Sequence, residues 1–139
     1  MTRIVCFMAV YLATMLTLGC RGRPVLLSEL YGEYVASTPG GVDRLELREN
    51  GRYLHTLQGP GDAKGAAHAD GWQPGSLPSV NRVYLDRFAW APWFAPAHAP
   101  PELIVTWHQP SHWSATVVRR YGKIRLVFSE AGDLYFVKQ

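Results

Sequence analysis

The 139-residue chain is predicted to be all-β, a small antiparallel β-barrel or sandwich preceded by a signal-peptide helix. Three observations predict this. Short runs rich in β-branched and aromatic residues alternate apolar and polar side chains with period two, as strands with one buried face do. Gly, Pro, Asn and Asp punctuate these runs, most sharply at Asn50-Gly51, a strong hairpin signal. Ahead of them, Ile4 to Leu18 carries no charge.

That apolar run has the length of a signal-peptide core and is short for a membrane span, and Arg3 supplies the positive residue that precedes such a core. It ends at Leu16-Thr17-Leu18-Gly19-Cys20. This segment resembles the lipobox of bacterial lipoproteins, in which a small residue precedes a cysteine that is acylated on sulfur before cleavage. Thr17 stands where the family most often has Leu, and Leu18 where it most often has a small residue. The resemblance implies three segments: residues 1–19 a signal peptide, residues 20–28 a lipidated tether beginning at Cys20, and residues 29–139 the barrel-like domain. It also implies a membrane partner held through acyl (palmitate) chains on Cys20. One acyl chain anchors marginally, whereas two or three hold a protein permanently. Arg21 rather than Asp follows the cysteine, which resembles the pattern sent to the outer membrane where the host has two membranes, on its periplasmic side. The alternative is an uncleaved N-terminal helix. Arg21 and Arg23 on its C-terminal flank would then tend to keep the domain in the cytoplasm.

Removing 19 residues leaves 120, enough for a single core without metal or disulfide support. The two cysteines are Cys6 and Cys20, so no pair remains in the mature domain and thiol redox or cysteine-based zinc chemistry is excluded. Thirteen basic residues face eleven acidic ones in that part. They are dispersed, with Arg119-Arg120 the one adjacent basic pair in the domain, so no basic stripe argues for nucleic acid.

Along the mature chain, Arg21 to Ser28 reads as a tether without regular structure, Pro24 favouring an extended backbone. Leu30 to Val35 reads as a first strand, with Gly32 marking a bulge or close packing, and Thr38-Pro39-Gly40-Gly41 turns the chain. Val42 to Arg48 alternates, Leu45 and Leu47 against Arg44, Glu46 and Arg48. Asn50-Gly51 follows, and Tyr53, His55 and Leu57 continue the period in the returning strand. Gln58 to Gly65 reads as a loop, Ala67 to Gln73 as a strand around Trp72, and Asn81 to Phe88 as another, with Val83 and Leu85 opposite Arg82, Tyr84 and Asp86. Ala89 to Pro101 holds four prolines and cannot continue a ladder. Leu103 to Trp107, Ser114 to Val118, Ile124 to Phe128 and Leu134 to Val137 are strand-like, the last two joined at Ala131-Gly132-Asp133. The count is roughly seven to nine short strands.

The layout Leu30-x-Gly32-x-Tyr34, Leu45-x-Leu47 with Asn50-Gly51-x-Tyr53, then Gly71-Trp72, resembles small exported domains of lipocalin-like type. So does the ending, Gly122 to Val127 followed by Leu134 to Lys138. The resemblance implies a barrel and carries no catalytic residue.

Four constellations bear on chemistry or binding. His108 and His112 are spaced as metal ligands on a helix would be, but Pro110 between them breaks a helix, so the expectation is a polar turn. His68 and Asp70, two apart on a strand, share a face, and a carboxylate-oriented histidine can serve as a base. Ser76, Ser79, Ser111 and Ser114 are available, yet none sits in a Gly-x-Ser-x-Gly elbow. Gly59 to Gly65 departs from a phosphate-binding loop, because Lys64 precedes Gly65 where Gly-Lys-Ser/Thr is needed. The aromatic run Phe88 to Phe94, with Trp90, Trp93 and Phe94, must cap the core or form a contact surface for a ligand, a partner protein or the membrane interface. The expected function is that of a lipid-anchored envelope protein acting as a binding or structural module, without cofactor and without enzymatic activity. The alternatives are a carrier of a small apolar ligand and a hydrolytic or metal-dependent enzyme.

Overall fold

Period-two alternation puts successive side chains on opposite faces of a strand, and here those faces become the inside and outside of a barrel. The structure is a computed structural model that describes residues 22–38, 40–59, 64–90, 109–129 and 134–139. One helical turn, α1 (Leu27–Leu30), precedes eight strands: β1 (Gly32–Thr38), β2 (Gly41–Leu47), β3 (Arg52–Gln58), β4 (Lys64–Pro74), β5 (Arg82–Phe88), β6 (Ser111–Arg120), β7 (Lys123–Ser129) and β8 (Leu134–Lys138). Each strand pairs antiparallel with the next, and β8 pairs with β1 through Val35↔Val137 and Tyr34↔Lys138. The sheet therefore closes into an up-and-down barrel, the lipocalin-like architecture, and the sandwich alternative falls away.

Register carries the inward residues into one another. Tyr34 lies opposite Leu45, Leu45 opposite His55, Leu85 opposite Trp113, and Leu126 opposite both Val117 and Phe136. Tyr34, Leu45, Val83, Leu85, Phe88, Leu126 and Phe136 have no solvent exposure at all. Burying a Leu or Phe side chain contributes roughly 1.5–3 kcal/mol, so this interior column drives closure.

The up-and-down order places connections alternately at two ends. The lower end collects the N-terminal segment from Gly22, the Arg48–Gly51 turn, residues 75–81, the Tyr121-Gly122 turn and Gln139; the upper end collects Gly40, Gly59, Trp90 and Gln109.

Packing begins earlier than residue 29. Val25 is buried in the core, its carbonyl accepts from Val80 N at 2.8 Å, and Leu26 bridges Ser79. The expected tether to Ser28 thus joins the barrel from Val25, because β6 runs below the start of β5 and the segment from Gly22 runs alongside Val117 to Arg119 there. Leu30 belongs to α1 rather than to the first strand. Glu29 explains the turn: its carboxylate accepts from Leu26 N at 3.0 Å, as in the acidic half of a capping box. The same carboxylate pairs with Arg23 (3.1 Å) and Arg119 (3.0 Å), while Lys138 Nζ donates to the Glu29 carbonyl. One residue thus ties α1 to β6 and β8. Gly32 answers its expectation of close packing: at φ +126°, a Cβ there would lie 3.3 Å from Lys138 Cε.

These bonds make stability pH-dependent. The Leu26 amide holds the Glu29 carboxyl below its ordinary range, with Arg119 and Arg23 assisting against partial burial. A carboxyl depressed in the fold adds stability above its unfolded value of about 4.3, and this is lost as pH falls through the folded value. Glu29→Gln is expected to melt below the parent at pH 7, with the gap narrowing as pH drops through and below that value. A gap constant across pH-series melts would refute the linkage.

The Asn50-Gly51 turn differs from simple expectation. At Asn50-Gly51, Gly51 N donates to Arg48 O (3.2 Å) and Gly51 alone in the turn takes positive φ, +73°. This is a four-residue turn that ends in a left-handed glycine rather than a two-residue turn with both centres left-handed. At β6–β7 the two-residue turn does occur, with Tyr121 at φ +51° and Gly122 at +75° between paired Arg120 and Lys123. The Leu103 to Trp107 strand, the Ala131 to Asp133 turn and residues 91–101 of the proline-rich segment lie outside the described residues.

Candidate functional site

Parity along β2 and β3 leads to the buried polar group. Asp43 shares the face of Leu45 and Leu47, and His55 that of Tyr53 and Leu57, so the β2–β3 hairpin sends both polar side chains inward. Asp43 is fully buried and His55 is 3% exposed; His55 Nε2 and the Asp43 carboxylate are hydrogen-bonded. The Phe88 ring stacks on the imidazole with centroids 4.5 Å apart. Leaving either partner alone in such surroundings is costly, so the pair is held as a unit.

Phe88 reaches this position through a bulge. Val83 and Leu85 point inward, and strict alternation would next send Arg87 in and Phe88 out. A register shift between Leu85 and Phe88, with Arg87 at φ +52°, reverses the phase. Phe88 then meets Tyr53, Trp90, Phe128 and Phe136 as well as His55. Trp90, 1% exposed, stacks on Phe136 at 5.6 Å and meets Trp113 and Phe128 edge-on. Of the aromatic run, Trp90 therefore caps the core. Trp93 and Phe94 lie outside the described residues.

Burial pushes the Tyr34 phenol up, and it does the same for Tyr53 with help from Asp70 and Asp86. Both phenols stay neutral and donate to backbone carbonyls, Tyr34 to Leu30 and Tyr53 to Asp86, each at 2.6 Å.

His68 and Asp70 share the inward face of β4, as their spacing predicts, opposite His55 and Tyr53. His68 Nε2 is 3.7 Å from Asp70 Oδ2, beyond a hydrogen bond. Asp70 instead accepts from Gly71 N at 2.8 Å and lies 3.5 Å from Arg87. His112 is corrected from a turn to strand β6, which starts directly after Pro110, and its Nδ1 meets Asp86 Oδ1 at 2.9 Å on the exposed outer face. Its proposed companion His108 lies outside the described residues, and among the described residues no group of three acidic, histidine or cysteine side chains converges as a metal site. Ser76 and Ser79 sit in the lower connection, and Ser111 and Ser114 are exposed on β6. A general base must reach the proton it removes. His55 has one nitrogen on Asp43 and one ring face on Phe88, so its near-total burial turns it toward packed neighbours. Cys20 lies outside the described residues. Among the described residues no helix is long and apolar enough to cross a membrane.

Sequence reasoning missed the Asp43–His55 pair, although its signal was present: two polar residues on the inward parity of adjacent strands. Comparison with protein-family models, curated proteins and solved structures finds no match to this chain.

Proposed function

We propose that this protein is a lipid-anchored module of the cell envelope, held through acyl chains on Cys20, whose packed barrel acts as a scaffold for binding or structural contact. The observation that carries the reading is the junction of leader and barrel: an uncharged apolar run ends at Cys20, and Val25 is already in the barrel core. Four intervening residues span at most about 14 Å when extended, so a barrel anchored there rests on the membrane surface. The outer membrane, periplasmic side, is the proposed location in a host with two membranes.

The scaffold reading draws on the interior. Eight strands enclose a space that side chains can fill or that can hold one small ligand. Here Tyr34, Tyr53, Phe88, Trp90 and Phe136 occupy it, each less than 2% exposed.

The test is extraction of the full-length product from the envelope after growth with an alkyne-labelled fatty acid, followed by native mass spectrometry. The expected product begins at Cys20, carries the label and retains no other organic molecule. Cys20→Ser is expected to abolish labelling and release the domain from the membrane fraction. An unlabelled product that keeps residues 1–19 would overturn the anchoring reading. A retained apolar molecule would overturn the scaffold reading in favour of a carrier.

A further inference from the structure

Four large hydrophobic side chains are strongly exposed among the described residues: Leu26 (43%), Leu77 (62%), Tyr84 (46%) and Tyr121 (94%). Tyr84 is on the barrel wall, and the other three share the lower end. Leu26 is held beside the Leu77–Ser79 segment by its bridge to Ser79, and Gly22 packs near the Arg119 carbonyl at the base of the β6–β7 hairpin that carries Tyr121. Gly22, the first described residue, therefore lies at the end where the exposed apolar side chains gather.

Basic groups surround them. Arg23, Arg82, Arg120 and Lys123 are exposed at this end, and Arg125 lies 5.8 Å from the Tyr121 ring centre. Of the acidic groups there, Glu29 is engaged by Arg23 and Arg119, Glu33 by Arg44, Glu46 by Arg48, and Glu49 is exposed. Tyr121 itself is a costly choice. A bulky residue with positive φ is strained, and the first position of this turn type favours Asn or Gly. Strain at an exposed aromatic tip is expected where a contact compensates for it.

We infer that the lower end of the barrel is a membrane-facing surface, with Tyr121, Leu77 and Leu26 at headgroup level and Arg23, Arg120 and Lys123 against anionic lipid phosphates. This rests on the proposed N-terminal anchoring. Tyrosine favours the interface, and each basic side chain near the surface contributes about a fivefold preference for an anionic bilayer. The upper end, with Trp90 and Gln109, then points away from the membrane.

The test uses the acylated protein from the envelope, reconstituted into vesicles of phosphatidylcholine with one part in four phosphatidylglycerol. Cys6 leaves with the signal and Cys20 is acylated, so Tyr121→Cys and Tyr84→Cys each offer a single site for a nitroxide. The expected result is several-fold slower relaxation by a water-soluble nickel chelate at position 121 than at 84, with the difference reduced in pure phosphatidylcholine. Tyr121→Asn, read by a label at Leu77→Cys, is expected to weaken protection while leaving the melting temperature unchanged or higher. A residue serving only the turn would not behave so. Vesicle flotation with equal accessibility at 121 and 84 would overturn this orientation and leave anchoring intact. Failure of the unsubstituted protein to float would overturn both.

Discussion

Trp90→Ala is expected to lower the stability of the domain by about 3–5 kcal/mol, the range for removing a large aromatic side chain from a core. In a domain of this size that corresponds to a fall in melting temperature of roughly 10–20 °C. The indole is 1% exposed and packs on Phe136, Phe88, Trp113 and Phe128. Its removal leaves a space walled by aromatic rings that have few ways to collapse. Apolar cavities of this kind stay dry and take up small aromatic molecules, so indole or benzene is expected to raise the melting temperature of the variant and not that of the parent, by mass action on the folded state. Calorimetric scans with and without indole check both parts. A variant melting within a degree or two of the parent would mean that Trp90 is a contact residue, and the packed-scaffold reading would lose its support.

The second large effect concerns the polar pair inside the barrel. Asp43→Ala leaves His55, 3% exposed and stacked on Phe88, without its carboxylate partner. Breaking a buried pair by removing one member costs about 3–5 kcal/mol, whereas replacing both by apolar residues of similar volume is often neutral or stabilising. Urea unfolding of Asp43→Ala, His55→Leu and the double variant Asp43→Val/His55→Leu is therefore expected to show two destabilised single variants and a double variant near the parent. If the double variant were as unstable as the two singles combined, the pair would not act as a mutually compensating unit.

Much of this architecture was legible in the chain. Alternation placed β2, β3, β5 and β7 close to their observed bounds, and Gly32 and Asn50-Gly51 marked a close approach and a turn. These signals are local: they depend on one residue's backbone freedom or on the side to which every second residue points. Closure was less legible, because an antiparallel meander reads alike whether its edges pair or stay open. The tether reading fails at Val25 and Leu26 for a related reason. Arg-Gly-Arg-Pro has no periodicity, and what orders Val25 and Leu26 is the uncovered stretch of β6 and the 79–81 backbone, far away in sequence.

The candidate site divides along the same line. His68 and Asp70 were placed on one face by spacing alone, and the structure keeps them there with their nearest polar atoms 3.7 Å apart. His112 was displaced from a turn to a strand because Pro110 delimits β6 rather than breaking it, and its Asp86 partner comes from β5. By itself the sequence determined the all-β class, the principal hairpins and the inward parity of Tyr53, His55, Leu45 and Leu47, since these follow from covalent geometry and side-chain polarity within a few residues. Tertiary structure alone decided barrel closure, the Asp43–His55 contact, and the inward turn of Phe88 and Trp90. A bulge that reverses parity and a bond between strands depend on register, and register is set by the collective fit of all eight strands around one core.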